Sequence, residues 1–220
     1  MNETPQNEPQ LTPQPQEPQR PLSDEEKRQQ EQNFYAFQRE LLRETIFILD
    51  KLKPNVGQEV MRTGELSRRI GEAFGITDDE FYLAGFYANI GLLGIESYIS
   101  DEKRITKQDY ELITRHPTIS YEVLKQKGLE RAAQFVLYHH EKPNGLGYYK
   151  KTSAMYPKEC AFINIADRFQ NYIAHQIYRP RFAYSEAVNK VLADYKDYLL
   201  LKKEEVELIE TILKGFYENP

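Results

Sequence analysis

Apolar residues recur at helical spacing along most of the chain, and short runs of turn-forming residues separate the helical stretches. Ser23 to Glu26 has the form of an N-terminal capping box and predicts the start of a long helix over about 24–52, ending before Pro54. The first turns of this helix are very polar, which indicates either a solvated face or a surface that pairs with another chain. Its apolar positions are Phe34, Phe37, Leu41, Phe47 and Ile48.

The rest of the chain predicts shorter helices and no strands, so the fold class is all-α. The segment 142–156 is predicted to be a loop, because it concentrates proline, asparagine and glycine. Thr106 to Asp109 opens one of the helices, and Pro117 suits the first turn of the next. The predicted helices span 56–74, 77–89, 106–116, 117–128, 129–141, 157–178, 185–199 and 203–216.

Residues 1–22 are rich in proline, glutamine and glutamate and predict a disordered tail. This tail is either a docking arm for a protein partner or a solvated segment without a specific role. It is too short and too polar to fold as a sensory domain, so we expect any input to come from a partner or a ligand. The predicted organisation is the tail (1–22), an N-terminal helix (23–53) and a helical domain (54–217).

Composition narrows the class of protein. A net charge of -5 argues against broad binding of nucleic-acid polymers, which usually requires a basic excess. The single cysteine, Cys160, excludes an internal disulfide. The chain begins without the basic and apolar regions of a signal peptide, and no apolar run approaches the ~20 residues of a membrane span. We therefore expect a cytoplasmic protein without a membrane span.

The four histidines are the first candidates for chemistry. His139 and His140 are adjacent at the end of a predicted helix, and His116 lies at another helix end; the fourth is His175. Adjacent helical residues point about 100° apart, so two such imidazoles reach one ion only where the backbone opens out, as at a helix end. Three imidazoles suit one transition metal ion and leave a position for water. Hydrogen-bonded structural histidines are the alternative.

Five ordered segments together resemble the HD-GYP family. His139 to Tyr149 resembles the HHE-x-x-DGxGYP segment that gives the family half its name, and Ala84 to Gly94 is similar to its AxLLHDIGKIG helix end. The resemblance covers about 56–182 and implies an HD-domain-like helical bundle of the HD-GYP type. The other matching segments are Arg115–Pro117 with Val123–Leu124 (HPxxGxxIL), Ile163–Phe169 (I-x-x-x-D-x-F-D) and Gln176–Arg179 (RPYR).

The resemblance also implies an activity, which in this family is hydrolysis of the bacterial second messenger cyclic di-GMP. The family uses two or three metal ions, often iron or manganese, to activate a bridging water and to neutralise the phosphate. Tyr148 would stack on a base or bind a phosphate, or else pack the loop, and Arg179 would contact a phosphate. Carried over by position, the retained metal ligands are Glu59, His116, His139, His140 and Asp167.

The His-Asp pair of the family falls on Ala88 and Asn89 in this chain. A family histidine and a family lysine likewise fall on Thr63 and Leu92. An aspartate at position 89 would bridge two metal ions, whereas an asparagine is neutral. Two divalent ions bring four positive charges against the two retained carboxylates, so we expect the two-metal cluster not to assemble.

We therefore expect the fold to be kept and the hydrolysis to be impaired or lost. The favoured function is a regulatory or interaction module in cyclic-dinucleotide signalling. The alternatives are a residual metal-dependent cyclic di-GMP phosphodiesterase and a non-hydrolysing cyclic di-GMP receptor. The expected cofactor is either one divalent transition metal ion (Fe, Mn or Zn) or none. The expected partners are a cyclic dinucleotide and a protein that binds the N-terminal tail or helix.

Overall fold

The computed structural model describes residues 21–52, 56–95, 106–174 and 180–218. Within these ranges the regular structure is helical, as predicted, apart from one isolated bridge between Asn144 and Thr152. The helices are α1 (Asp24–Leu52), α2 (Val56–Ala73), α3 (Asp79–Tyr87), α4 (Lys107–Ile113), α5 (His116–Gln126), α6 (Glu130–Leu137), α7 (Glu159–Ile173), α8 (Tyr184–Leu192) and α9 (Lys203–Glu218). Short 3₁₀ turns occur at Ile90–Gly94, Ser153–Met155 and Ala193–Tyr195.

The predicted tail, 1–22, lies almost wholly outside the described residues. The chain divides into two compact units, one up to Phe37 and one from Gln38 onward. In the first unit, the described helical turns are mostly exposed. The three-part organisation inferred from the sequence stays a prediction. None of the described helices is both long and apolar enough to span a membrane.

Two helix starts are set by capping boxes, as the sequence predicts. The Ser23 hydroxyl accepts the Glu26 N–H at 3.2 Å, and the Glu26 carboxylate accepts the Ser23 N–H at 2.8 Å. Thr106 and Asp109 exchange the same pair of bonds at 3.1 and 2.8 Å. Each box satisfies two backbone donors that a helix start leaves without partners, so α1 and α4 begin where the sequence places them.

The core lies where α2, α3, α6 and α7 pack together. Helix α7 is buried on nearly every side from Cys160 to Gln170, which is the pattern of a central helix. Each fully buried Leu, Ile, Val or Phe side chain contributes about 1.5–3 kcal/mol relative to an exposed one. Among these side chains are Leu66, Ile70, Phe81, Leu83, Val136, Ile163, Ile165 and Phe169.

Glu80 of α3 fixes the start of α6. Its Oε2 atom accepts the backbone N–H groups of Arg131 and Ala132 at 2.8 and 2.9 Å. The residue at the N-cap of α6, Leu129, makes no side-chain cap bond of its own. The carboxylate thus replaces a local cap and also complements the positive end of the helix dipole. Helices α3 and α6 are thereby joined.

Three predicted helices end four or more residues earlier than the sequence pattern indicates. The predicted helix 157–178 ends at Ile173, where Ala174 adopts an extended conformation. The predicted helix 129–141 ends at Leu137, and the chain turns there with the His139 N–H directed to the Val136 carbonyl at 3.4 Å. The predicted helix 185–199 ends at Leu192 and continues only as a 3₁₀ turn. Tyr198 then adopts a φ of 53°, a left-handed conformation that cannot continue a helix.

Candidate metal centre

Three imidazole rings converge where α5 begins and α6 ends. His116 is the first residue of α5, and His139 and His140 lie in the turn that follows α6. The open backbone of this turn allows both adjacent rings to reach one point, as predicted. One donor atom from each of the three rings lies within 4.8 Å of the other two. No other set of three or more His, Cys, Asp or Glu in the described ranges converges in this way.

Backbone carbonyls orient two of these rings. The Nδ1 atom of His116 lies 2.7 Å from the Ile113 carbonyl, and that of His139 lies 2.6 Å from the Val136 carbonyl. Because a carbonyl only accepts, each Nδ1 carries the proton and each Nε2 presents a lone pair. The two Nε2 atoms are 3.4 Å apart. This second contact of each ring is the usual support of a metal-binding histidine.

The cluster is buried and uncharged. Burial lowers the pKa of His116 to about 3, with the neighbouring His139 adding to the effect, and lowers the pKa of His139 to about 4. Burial also lowers the pKa of His140 well below its usual value. Near neutral pH the two facing lone pairs therefore share no proton. A divalent transition metal ion would satisfy both, so the donor set fits such an ion.

Asp167 of α7 stands beside the histidines, and Asn89 is its hydrogen-bond partner. The Asn89 amide Nδ2 donates to Asp167 Oδ1, while Asp167 Oδ2 lies 4.0 Å from His140 Nε2. Burial raises the pKa of the Asp167 carboxyl, and the bond from Asn89 acts in the opposite direction. Ala88 is buried and offers no donor atom. Asn89 therefore holds the Asp167 carboxylate with its amide, and Ala88 contributes no ligand atom.

Ser120 holds the turn that carries Asn89. Its hydroxyl accepts the Gly91 N–H at 2.9 Å and donates to the Ala88 carbonyl at 3.0 Å. A Cβ atom on Gly91 would lie only 2.3 Å from the His116 carbonyl oxygen, so the turn packs directly on the start of α5. The turn that carries Asn89 and the start of α5 are thus linked by contacts that the sequence pattern does not reveal.

The buried Glu141 organises the loop that follows the histidines. Its two carboxylate oxygens accept the N–H groups of Tyr149 and Lys151 at 2.7 and 2.6 Å. Gly147 packs so closely that a Cβ atom there would lie 2.5 Å from Glu141 Cα. The loop therefore folds back and brings the Tyr148 ring to 4.5 Å from the His140 ring, at an angle of 30°. Sequence reasoning missed this role of Glu141, although its place directly after the histidine pair was a signal.

The remaining predicted site residues do not belong to the three-histidine group, as far as the described residues show. Glu59 lies half-buried in the first turn of α2 and is outside the three-histidine group. Thr63 and Leu92 are buried. Arg179 belongs to 175–179, outside the described residues. The assignments of the three histidines, Glu59 and Asp167 as metal ligands stay predictions, as do those of Tyr148 and Arg179 as ligand-binding residues.

A group of charged residues that the sequence analysis did not predict lies near the histidines. Asp194 pairs with Arg168 at 2.5 Å and with Lys142 at 3.0 Å. Arg168 also donates to the Tyr172 hydroxyl at 3.0 Å, and its charge contributes to the lowered pKa of His140. Two cations here share one carboxylate, which leaves one net positive charge in this group.

Comparisons with known proteins agree with this architecture. A family model described as HD domain matches residues 45–199. The cyclic di-GMP phosphodiesterase PdeB of Borreliella burgdorferi is 31% identical over 108 residues, which are 48% of this chain. The match spans only 28% of that relative's length.

Solved structures show the same fold. Bd1817, an HDG"Y"P protein from Bdellovibrio bacteriovorus, aligns with a TM-score of 0.58 at 16% identity over 82% of this chain and 64% of its own. The HD domain of the L. monocytogenes phosphodiesterase PgpH aligns with a TM-score of 0.58 at 15% identity over 79% and 96%. The same domain in complex with cyclic-di-AMP aligns with a TM-score of 0.58 at 18% identity over 80% and 97%. These likenesses confirm the predicted HD-type helical fold.

Proposed function

Because the chain belongs to the HD domain family, we propose that it is a degenerate member without phosphodiesterase turnover, acting as a regulatory or interaction module in cyclic-dinucleotide signalling. The observation that carries this proposal is the hydrogen bond from the Asn89 amide to Asp167. In the HD-GYP pattern that Ala88 and Asn89 depart from, these positions supply two metal ligands, one of them a bridging carboxylate.

The Asn89 amide opposes a metal cluster in two ways. Its N–H group directs positive charge at Asp167, where a second cation would otherwise be held. Rotating the amide to offer its oxygen would remove a hydrogen bond from a buried carboxylate, which costs about 1.5–3 kcal/mol. The amide oxygen would also add no negative charge, so two close divalent ions would repel each other with little compensation.

One divalent transition metal ion fits the site better than two. His116, His139 and His140 would hold it, with Asp167 beside His140. Such an ion supplies Lewis-acid chemistry when bound. The chain's own residues would orient the rings through the Ile113 and Val136 carbonyls and would exclude bulk water by burial.

Elemental analysis of the purified full chain, run beside hydrolysis assays, tests the proposal. We expect at most one equivalent of metal and no turnover of cyclic di-GMP or cyclic di-AMP with added manganese or iron. The double change Ala88→His with Asn89→Asp should raise the metal content but give only partial activity, because Thr63 and Leu92 remain unrepaired.

A matched control separates metal loading from simple disturbance of the turn. The change Asn89→Ala removes the opposing N–H group but adds no bridging carboxylate, so it should not raise the metal content above one equivalent. Two or more equivalents of metal together with turnover in the unaltered chain would refute the proposal.

Binding of a cyclic dinucleotide without hydrolysis is a second candidate function. It is favoured by the net positive charge of the Arg168, Lys142 and Asp194 group, which could attract a phosphate. Calorimetric titration with cyclic di-GMP and with cyclic di-AMP tests it. We expect Arg179→Ala to weaken binding, whereas Arg181→Ala, a nearby exposed arginine, serves as the matched control. If neither nucleotide gives a heat of binding, and neither competes with the other for the protein, this second candidate function is excluded.

A further inference from the structure

The second half of α1 has an exposed face with two large apolar side chains. Phe47 is 63% exposed and Ile48 is 56% exposed, whereas Leu42 and Leu49 on the opposite face are 5% exposed. Adjacent apolar side chains exposed to this degree on a folded helix are typical of an interaction surface. They border a shallow depression of about 430 Å³ lined by Arg43, Glu44, Phe47 and Ile48.

The positions of this exposed face are symmetric about the midpoint between Thr45 and Ile46. Between Gln38 and Lys51 the exposed residues form three pairs equidistant from that midpoint, apart from Arg39, which is paired with Asp79. The four residues lining the depression are two of these pairs. The pairs are Glu40 with Lys51, Arg43 with Ile48, and Glu44 with Phe47.

This symmetry makes the face complementary to itself in an antiparallel arrangement. If a second copy lies across it on a two-fold axis through the midpoint, Glu40 of each copy faces Lys51 of the other. These residues are separated by about 16 Å along the helix, so the two ion pairs would close both ends of the contact. A parallel arrangement would instead bring Glu40 to Glu40 and Lys51 to Lys51, which is repulsive.

The centre of such a contact is also chemically matched. Phe47 would lie over Glu44 and beside Arg43 of the second copy, where a guanidinium can rest on the ring. Ile48 would pack on the aliphatic stem of Arg43. Within one copy Arg43 already lies 3.1 Å from Glu40, and the Lys51 ammonium lies 5.2 Å from the Phe47 ring centre. The charged groups are therefore already gathered on this face.

The opposite side of the helix is fixed to the domain. Arg39 pairs with Asp79 of α3 at 2.6 Å, and Asp50 accepts the Gly57 N–H of α2 at 2.7 Å. A face held in this way loses little conformational freedom on pairing, which lowers the entropic cost of association. We propose that this face binds a second copy of the chain in an antiparallel, two-fold symmetric contact. About three helical turns bury a small area, so the dimer is weak and concentration-dependent.

Sedimentation velocity of the full chain over a wide range of concentration tests the proposal. We expect a monomer–dimer equilibrium whose dissociation constant rises about tenfold or more in Glu40→Lys and in Lys51→Glu. An equimolar mixture of these two variants should recover dimers, because each mixed pair restores both ion pairs. The double variant should recover them as well. Lys107→Glu, at an exposed lysine of α4, is the matched control and should have no effect.

Each other outcome would overturn the proposal. A monomer at every concentration would exclude the contact. A dimer that tolerates both single reversals, and also Phe47→Ser, would lie on another surface. Dimers weakened by the single reversals but not recovered in the mixture would exclude the antiparallel geometry. Thermal melting followed by circular dichroism checks that these exposed substitutions leave the fold intact.

Discussion

The two sides of the candidate metal centre differ in what their side chains are prepared to bind. On the histidine side, His116 and His139 direct two lone pairs at each other over 3.4 Å, with both Nδ1 protons committed to carbonyls. On the Ala88 and Asn89 side, the polar group already has its partner, because the amide donates to Asp167. The first side fits a cation, whereas the second is satisfied within the protein.

This difference supports the proposal that the chain keeps the histidine side of an HD-type metal site without the other side. The His116 and His139 rings are each held by a backbone carbonyl three residues away, so their orientation does not depend on the side chain at position 89. Asp167 is different, because a buried carboxylate needs a compensating donor. The amide of Asn89 supplies that donor without a metal. A neutral residue at position 89 is therefore compatible with a stable fold.

Among the substitutions, the largest effect is expected from Asn89→Asp, which would make the two sides alike. A second carboxylate facing Asp167 places two like charges in a buried site without a donor, so the free energy of unfolding of chelator-treated protein should fall by about 3 kcal/mol. Added manganese or zinc should recover part of it. Urea unfolding with and without metal measures this effect. Asn89→Ala should cost less and show no recovery, and equal responses of the two variants would contradict the comparison.

Removing one histidine tests the other side. His139→Ala deletes one of the two facing metal-donor atoms, so the affinity for zinc or manganese should fall by at least the ~10–100-fold that loss of a hydrogen-bond partner of a metal ligand typically costs. Competition titration with a coloured chelator measures it. Gln126→Ala, at an exposed position of α5, is the control. Unchanged affinity in His139→Ala would show that these rings are structural.

Glu141 tests the loop that covers the histidine side. Glu141→Ala removes the acceptor of two backbone N–H groups at a buried position, so the free energy of unfolding should fall by about 2 kcal/mol. Urea unfolding followed by tyrosine fluorescence measures the change. Glu122→Ala, at an exposed position of α5, should have little effect. If the variant were as stable as the unaltered chain, Glu141 would not anchor the loop.

Acid should weaken the metal-free fold through the buried histidines. In the unfolded chain they take up protons near pH 6.5, but in the folded chain His116 and His139 do so only near pH 3 to 4. Stability is therefore fully present above pH 6.5 and falls as the pH decreases toward 4, by at most about 1.4 kcal/mol per pH unit for each histidine. Asp167, whose pKa is raised, opposes this fall at the acid end. Urea unfolding across this window measures the slope, and His116→Asn should reduce it.

The smallest effect is expected from Ser120→Ala, which loosens the link between the two sides. It leaves the buried Gly91 N–H without its acceptor, at a cost of about 1 kcal/mol. Amide hydrogen exchange at Gly91 should become faster, while Ser153→Ala serves as the control. Unchanged exchange would mean that the turn is held by packing alone.

Much of the candidate site could be predicted from the sequence, because its local geometry depends on residues that are close together in the chain. The position of His139 and His140 at a helix end followed from the turn-forming residues after them, and the meeting of the three histidines followed from the resemblance. The length of α6 was overestimated, because helical periodicity continues through residues that the tertiary structure turns aside. The role of Glu141 was missed, since its partners lie in an irregular loop without a periodic pattern.

The sequence by itself determined where the first helix begins and which helix ends carry histidines, because capping and periodicity act between residues a few positions apart. Only the tertiary structure decided that Asn89 donates to Asp167, 78 positions away, and that Glu80 caps a helix 51 positions further along. Such bonds require two separate helices to be packed in register, and packing joins residues without regard to their separation in the chain.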